Sequence, residues 1–587
     1  MNMQSFPKLI ILVGVLIYLS RCQSPSGLPS PDPDNGGLFL PDGFRALVVA
    51  DSVGRARHLA IRDNGDIYIK LSASDSIRGG IVAMRDINGD GRMDVRLRFG
   101  GIPSASRSYG NAMTIHQGYL YYSSALVLYR QKLTRNSLVP VSPREEVLVD
   151  DHPHGVHWHI TKPVSFDNNG YMYVPFGTPS NACQTIDATP NGAPGGRGID
   201  PCPELEMHGG IWRFEADKIG LRQKDGYKFA TGIRSVVGMD WHPVDDHLYI
   251  MMHGRDNLHS LYPDRFSAWQ SAVLPAEELI RIKENANYGW PYCYFDQMLG
   301  KKVLAPEYGG DGILTGRCDN MDLPEFGFPG HWAPNDILFY RGNQFPERYR
   351  YGAFIAFHGS TNRAPYPQAG YFVAFLPFEN GRVTGEWEVF ADGFAGVYPV
   401  VNTSDALHRP VGLAEGPDGT LYITESNRGK VWRIMYSENR DQFNKDQLLS
   451  MENRKSYPHL RTPDIIEDNL QKGLSQSEQL YNTFCSPCHQ QDGRGAPGRF
   501  PPLAASEWVL GDKEPLINIV LYGMSGTIEV NGETYNAPMP AYNFLSDEEL
   551  ALILTYIRQH FGNSVSEVNE EDIRSGRQTI SKSSSGE

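Results

Sequence analysis

The sequence predicts a mainly β protein: a six-bladed β-propeller followed by a small all-α domain. Three observations predict it. An apolar strand, a turn rich in Asn, Asp or Gly, and a second strand with an early tyrosine recur as LAIRDNGDIYIK, MTIHQGYLYYS, VSFDNNGYMYVPFG, MDWHPVDDHLYIMMHG and LAEGPDGTLYITES. A looser copy, ILFYRGNQFPERYRYGAFIAFHGS, lies between the last two. Period-two alternation around tight turns marks antiparallel hairpins, and six of them with inserts of irregular length fit a propeller. A β-sandwich with extra domains is the alternative, but the same hairpin runs the full length from residue 38 to 437. Finally, LSDEELALILTYIRQHFGN near the end has helical periodicity, with Ser546 as its N-cap and Glu549 as the reciprocal partner.

At 587 residues the chain exceeds one ordinary core, and its net charge of −14 argues against nucleic acid as a partner. Residues 1–22 read as an export signal, because LIILVGVLIYL is too short for a comfortable membrane span. Cys22 in LSRCQS resembles the lipidated cysteine of bacterial lipoproteins, which would give membrane attachment, although Arg21 stands where a small residue is usual. Export to the periplasm or outer envelope is the expectation. Residues 23–37, QSPSGLPSPDPDNGG, form a flexible tether. Residues 438–471 form a charged linker expected to hold a short helix or two, and the polar tail 563–587 is expected to be disordered.

The chain has seven cysteines. After Cys22, nearest-neighbour pairing joins Cys183 to Cys202 and Cys293 to Cys318, one of three pairings that four cysteines allow. The last two stand in Cys485-Ser486-Pro487-Cys488-His489. Two thiols at this spacing can add to the vinyl groups of haem, with the histidine as axial ligand. A zinc site needs two further ligands at matching spacing, and none follow. A thioredoxin-like dithiol expects a preceding strand, whereas QSEQLYNTF reads as a helix. With Met539 in the loop YNAPMPAY, residues 472–562 resemble a class I cytochrome c domain. The resemblance implies haem c held covalently by Cys485 and Cys488, with His489 and Met539 on the iron. Met524 is the competing thioether, and packing is its expected role. Pro501 or Pro502 would set a carbonyl against the His489 ring N–H.

Residues 38–437 resemble the soluble sugar dehydrogenases that use pyrroloquinoline quinone (PQQ), the glucose/sorbosone dehydrogenases. The resemblance is carried by HITKPVSFDNNG, GIRSVVGMDWHP, HGRDNL, EELIRIKENANYGWP, FHGSTNRAP and RPVGLAEGPDG. It implies oxidation of a sugar or polyol hydroxyl, PQQ over a calcium ion in the propeller mouth, and an external cytochrome or oxidase as electron acceptor. PQQ carries three carboxylates, and Arg234, Arg255, Arg363 and Arg409 each lie where a blade strand meets a loop, able to fork onto them. For Arg255 a solvated surface charge is an equal reading. A second arginine that some members place two residues beyond Arg409 is Val411 here. His159 is the expected general base. In DDHPHGVHWH it shares a strand face with His157, so a metal pair is the alternative, and His157 stands where members often have a lysine near the cofactor. The carbonyls of Gly254 and Arg255 match the positions that hold calcium. Asp86, Asn88, Asp90 and Asp94 mimic the start of a calcium loop, but Leu97 occupies the twelfth position, so an Asx-rich turn reads equally well. Two other readings are a binding or lactonase-like propeller tethered to a cytochrome, and an eight-bladed quinone alcohol dehydrogenase. The second lacks its adjacent cysteines here.

Overall fold

The computed structural model describes residues 27–72, 80–101, 111–151, 159–184, 192–463, 476–490, 492–496 and 500–583. The expected signal segment with Cys22, and His157, fall outside them. Among the described residues no helix is long and apolar enough to cross a membrane.

Six sheets, antiparallel apart from the short strand Leu221–Arg222 that adds in parallel to the second, follow one another along the chain, and each begins with one of the hairpins read from sequence. Their inner strands are Ala56–Ile61, Met113–His116, Ser165–Phe166, Val236–His242, Pro334–Phe339 and Pro410–Glu415, defining blades 1 to 6. All six line one central channel of ≈ 490 Å³, which fixes the architecture as a six-bladed propeller. The inner hairpins turn on glycines at positive φ, among them Gly65, Gly118, Gly170 and Gly419, where a side chain would be strained. The repeated tyrosine has a packing reason. Tyr68, Tyr121, Tyr173, Tyr249 and Tyr422 sit on second strands and are buried within or between blades. Tyr173 and Tyr249 donate their hydroxyls to Asp167 and Asp245 in their own turns, at 3.1 and 3.0 Å.

The circle closes by strand exchange. Phe44–Ala50, the first strand, pairs antiparallel with Val431–Tyr436 and becomes the outer strand of blade 6. Its Phe44 ring is fully buried and meets Phe345, Tyr349, Phe390 and Tyr436 with centroids 4.9 to 5.2 Å away. Burying such a ring contributes about 1.5–3 kcal/mol, so the closure holds by packing as well as by pairing.

Alternation of strand direction sorts the loops onto two faces. The short hairpin turns lie on one. The opposite face, the mouth, carries the segments entering each inner strand and the connections from second to third strands. Those connections are long in blades 3, 4 and 5, spanning residues 177–209, 253–276 and 358–371. The Cys183–Cys202 disulfide ties the blade 3 insert. Cys293–Cys318 ties a second blade 4 insert, which climbs to deliver Glu307 beneath the mouth. Both pairs are the nearest-neighbour ones, and closing loops of this size contributes about 3 kcal/mol each in chain-entropy terms.

In the C-terminal domain, Gln476–Phe484 packs on Asp547–Gln559 through Tyr481 and Tyr556, with ring centroids 5.3 Å apart. Ser546 and Glu549 form the expected capping box. The tail differs from expectation: Glu570–Ser583 is a helix, not a disordered segment. Val568 and Ile573 enter the domain core, Asn569 and Asp572 exchange capping hydrogen bonds, and Lys513 pairs with Asp572. Two apolar anchors suffice because the neighbouring helix face is already formed. The linker, described to residue 463, packs onto the propeller. It carries the short helix Leu449–Asn453, and its Arg454 and His459 are buried against Asp392 of the propeller.

Candidate functional site

His159 enters blade 3 from the mouth face. Its Nδ1 donates to the Thr178 carbonyl at 2.8 Å, and the Thr178 hydroxyl lies 3.0 Å away. A carbonyl only accepts, so the proton sits on Nδ1 and Nε2 keeps its lone pair. Gly177 permits this placement, because a Cβ there would meet the His159 carbonyl oxygen at 2.1 Å. Burial, reinforced by the Arg234 charge, holds the imidazole well below its ordinary value, so it is neutral at pH 7.

Arg234 begins blade 4 beside it. Its guanidinium donates to Gly254 O at 2.8 Å, to Asn181 Oδ1 at 2.9 Å and to Asp256 Oδ2 at 3.0 Å. Burial alone would raise the Asp256 carboxyl, but Arg234 and His331 outweigh it and keep the group ionised. Asn362 Nδ2 donates to the other Asp256 carboxylate oxygen at 2.5 Å, and the Asp256 amide donates to Asn181 Oδ1 at 3.0 Å, so inserts from blades 3, 4 and 5 converge on one residue. Across the mouth, Arg409 donates to the His358 carbonyl at 3.1 Å and to His358 Nδ1 at 2.8 Å. That leaves the His358 proton on Nε2, which donates to Ser426 Oγ at 2.8 Å. Burial, with the Arg57 charge, pushes Arg409 down to about 10 and leaves it charged at neutral pH.

Arg255 and Arg363 differ from the simple picture of exposed forks. Arg255 is buried and all three of its nitrogens are engaged, one by the Glu307 carboxylate and the others by the Asp256 carbonyl. The equal reading of a solvated surface charge therefore does not apply, because the blade 4 insert supplies a buried counter-ion. Arg363 is the reverse. It is 1% exposed, and among the described residues Nη2 has a single 3.4 Å contact to Arg461 O while Nε and Nη1 have no hydrogen-bond partner. Burial lowers it to about 9. A cation left without an anion in the interior costs several kcal/mol, a cost that an anionic group bound beside Arg363 would offset.

These observations test the fit of PQQ. Its three carboxylates match the cationic groups of Arg234, Arg409 and the unpaired Arg363, and His159 Nε2 offers a base among them. For calcium, the Gly254 carbonyl already accepts from Arg234, and its second lone pair remains. Asp86, Asn88, Asp90 and Asp94 lie on the far side of blade 1, between its two outer strands. Their oxygens hold the loop from within: Asp86 accepts from the amides of Asn88, Gly89 and Gly91, Asn88 from Asp90, Asp90 from Arg92, and Asp94 from Ile87 and Asn88. Among the described residues no group of three or more His, Cys, Asp or Glu forms a metal cage. Sequence reasoning did not single out Asp256, His358 or Asn181. The first two stand in quoted motifs, HGRDNL and FHGSTNRAP, and Asn181 beside Cys183 had no local signal.

In the C-terminal domain Cys485 and Cys488 are not disulfide-bonded and Cys485 opens into an apolar pocket with His489, Met524 and Met539. His489 Nδ1 donates to Pro501 O at 2.9 Å, leaving Nε2 for a metal. The arrangement fits haem. The two methionines are cross-strand partners, with reciprocal amide–carbonyl bonds of 2.9 and 2.8 Å, so both thioethers border the pocket. In Met539→Ala the thioether-to-iron absorption band should disappear and the haem potential should fall, whereas Met524→Ala should retain both. A band lost only in the Met524 variant would reverse the assignment.

A polar propeller mouth and a haem-type pocket in one chain define a propeller of the sugar-dehydrogenase fold joined to a cytochrome c domain. The chain belongs to the TrAA12-like family, whose model matches residues 38–437, and a cytochrome c model matches residues 475–561. Among curated relatives, an uncharacterized protein of Borreliella burgdorferi is 28% identical over 224 residues, 38% of this chain and 52% of that one. Cytochrome c-552 of Thermus thermophilus is 44% identical over 84 residues, 14% of this chain and 64% of its own. The chain thus spans between half and two thirds of these relatives. The holo form of the pyranose dehydrogenase PQQ domain from Coprinopsis cinerea superposes with a TM-score of 0.52 at 18% identity, covering 68% of this chain and 97% of that one. That likeness is one of fold.

Proposed function

We propose that the protein is an exported quinohaemoprotein dehydrogenase. It oxidises a sugar or polyol hydroxyl through PQQ held over calcium in the propeller mouth. Electrons pass to the haem c bound by Cys485 and Cys488, and on to an external cytochrome or oxidase. Bound PQQ supplies the two-electron acceptor. His159 Nε2, fixed in its accepting tautomer by Thr178, takes the hydroxyl proton. Arg234, Arg363 and Arg409 hold the cofactor's carboxylates, and Asp256 keeps Arg234 in place. The observation that carries this reading is Arg363, a buried guanidinium on the mouth face with two nitrogens that have no hydrogen-bond partner among the described residues. The disulfides agree with export.

The test is reconstitution. Haem-loaded protein is titrated with PQQ and calcium, and haem reduction is followed against a panel of aldoses and polyols. PQQ should bind, at least one sugar should then reduce the haem, and Arg363→Met should weaken PQQ binding. Failure of PQQ to bind would leave a binding or lactonase-like propeller tethered to a cytochrome.

A further inference from the structure

Three segments of the mouth face touch the haem domain. In the blade 4 insert, Ala268 packs against the core of that domain, and the His259 ring meets Phe544 edge-on at 5.4 Å. In the blade 5 insert, the Tyr366 ring lies 6.4 Å from Phe484. Before blade 6, Val401 and Asn402 face Met524 and Met539 across a cavity of ≈ 340 Å³. The haem pocket is therefore approached from the propeller on two sides, one packed and one hollow.

Electronic coupling decays more steeply across an open gap than through packed atoms, so the packed side decides the route. Phe484 is buried, lines the haem pocket, and is bonded directly to Cys485, one of the two haem-attachment cysteines. Tyr366 is buried as well, and its amide donates to the Arg363 carbonyl at 2.9 Å, in the same turn as the unpaired guanidinium. On its other side the turn adjoins Tyr371, over whose ring the Arg409 guanidinium lies at 6.0 Å. One short run of residues thus begins at the cofactor cations and ends at a thioether position.

We propose that Tyr366 and Phe484 form the crossing point for electrons between the propeller mouth and the haem. The proposal rests on the function above and adds the route. Each crossing moves one electron from the reduced quinone to ferric haem, giving ferrous haem. No bond forms or breaks between the domains, and the quinone's proton leaves to solvent. Tyr366 acts here as a positioning and coupling residue, with no contact to substrate required.

The test has two arms on the full chain. In the first, p-benzoylphenylalanine replaces Tyr366, and irradiation should link it to the peptide containing Phe484. In the second, PQQ- and calcium-loaded protein is first reduced, its haem is then oxidised by a flash with a ruthenium photo-oxidant, and the return of ferrous haem at the expense of the reduced quinone is followed. Wild type and Tyr366→Phe should show a fast phase independent of protein concentration, and Tyr366→Leu should lose it while keeping the haem spectrum and PQQ affinity. A Tyr366→Leu protein that transfers at the wild-type rate, or a cross-link that never includes the Phe484 peptide, overturns the crossing point alone. PQQ that does not bind overturns the functional reading together with the crossing.

Discussion

Sugar-driven reduction of PQQ should fall by about 10²–10⁴-fold in His159→Ala, the range for losing a general base. PQQ and haem should still bind, because the cofactor cations and the CxxCH segment lie elsewhere. His159→Ala that reduces its haem at the wild-type rate would remove the base assignment. The pH dependence follows from the same residue. Because burial and Arg234 hold the imidazole well below 6.5, the acid limb of the rate should lie below pH 6.5, where the base begins to protonate. The stability of the cofactor-free protein has a matching sign. The folded state keeps His159 and His358 neutral, so the unfolded chain binds more protons between the folded value and 6.5. Stability therefore rises with pH through that window, and it should be lost as pH falls below 6.5. His58 works in the opposite sense, since Asp336 outweighs burial and raises it, but His116 and His242 are depressed by burial as well, so the depressed histidines outnumber it. Denaturant midpoints between pH 7.5 and 5 would show the decline.

The propeller was legible because its signal is local. Each inner hairpin brings its own turn and its own alternation, as in Ile61–Ile67 and Glu415–Leu421, which are direct cross-strand pairs. The outer strands carry no such mark. Phe326–Phe328 joins blade 4 only after an insert from residue 282 to 325, so its three residues had no readable partner. The candidate site was legible as residue types. His159 and the arginines are chemically distinctive side chains, and the loop geometry gathers them on one face. What each guanidinium does depends on distant partners: Glu307 occupies Arg255, while among the described residues no carboxylate pairs with Arg363. Pairings of that kind lie 52 residues apart in sequence and have no periodicity to read. The tail helix escaped for a different reason. Its composition is polar, and only its tertiary contacts through Val568 and Ile573 make it fold.

Asp392→Ala should destabilise the protein by about 3–5 kcal/mol, the cost of breaking a buried charge pair from one side. Asp392 is fully buried, with Arg454 Nε at 2.5 Å on one oxygen and His459 Nε2 at 3.0 Å on the other. Burial alone would raise the carboxyl, but His459 and Arg454 outweigh it and keep the group ionised. The Arg454 guanidinium also lies 3.9 Å over the Phe39 ring, and Phe39 pairs with Asp392 through the backbone at 2.9 and 3.1 Å. One residue therefore pins the start of the propeller, its fifth blade and the linker. The linker, read from the sequence as a charged segment of residues 438–471 holding a short helix or two, is tied down at Arg454 and His459, and Trp269 Nε1 donates to Pro463 O at 2.7 Å. Tying it shortens the free path to the haem domain, and a short tether keeps the acceptor at an effective concentration of roughly millimolar. Asp392→Ala should therefore expose residues 440–463 to protease and make haem reduction by sugar slower and dependent on protein concentration. Asp392→Asn, which keeps an acceptor for Arg454 or His459, should show a smaller loss. If the alanine variant melts at the wild-type temperature with the linker still protected, the anchor lies elsewhere, and the haem domain is held by its own contacts with the mouth.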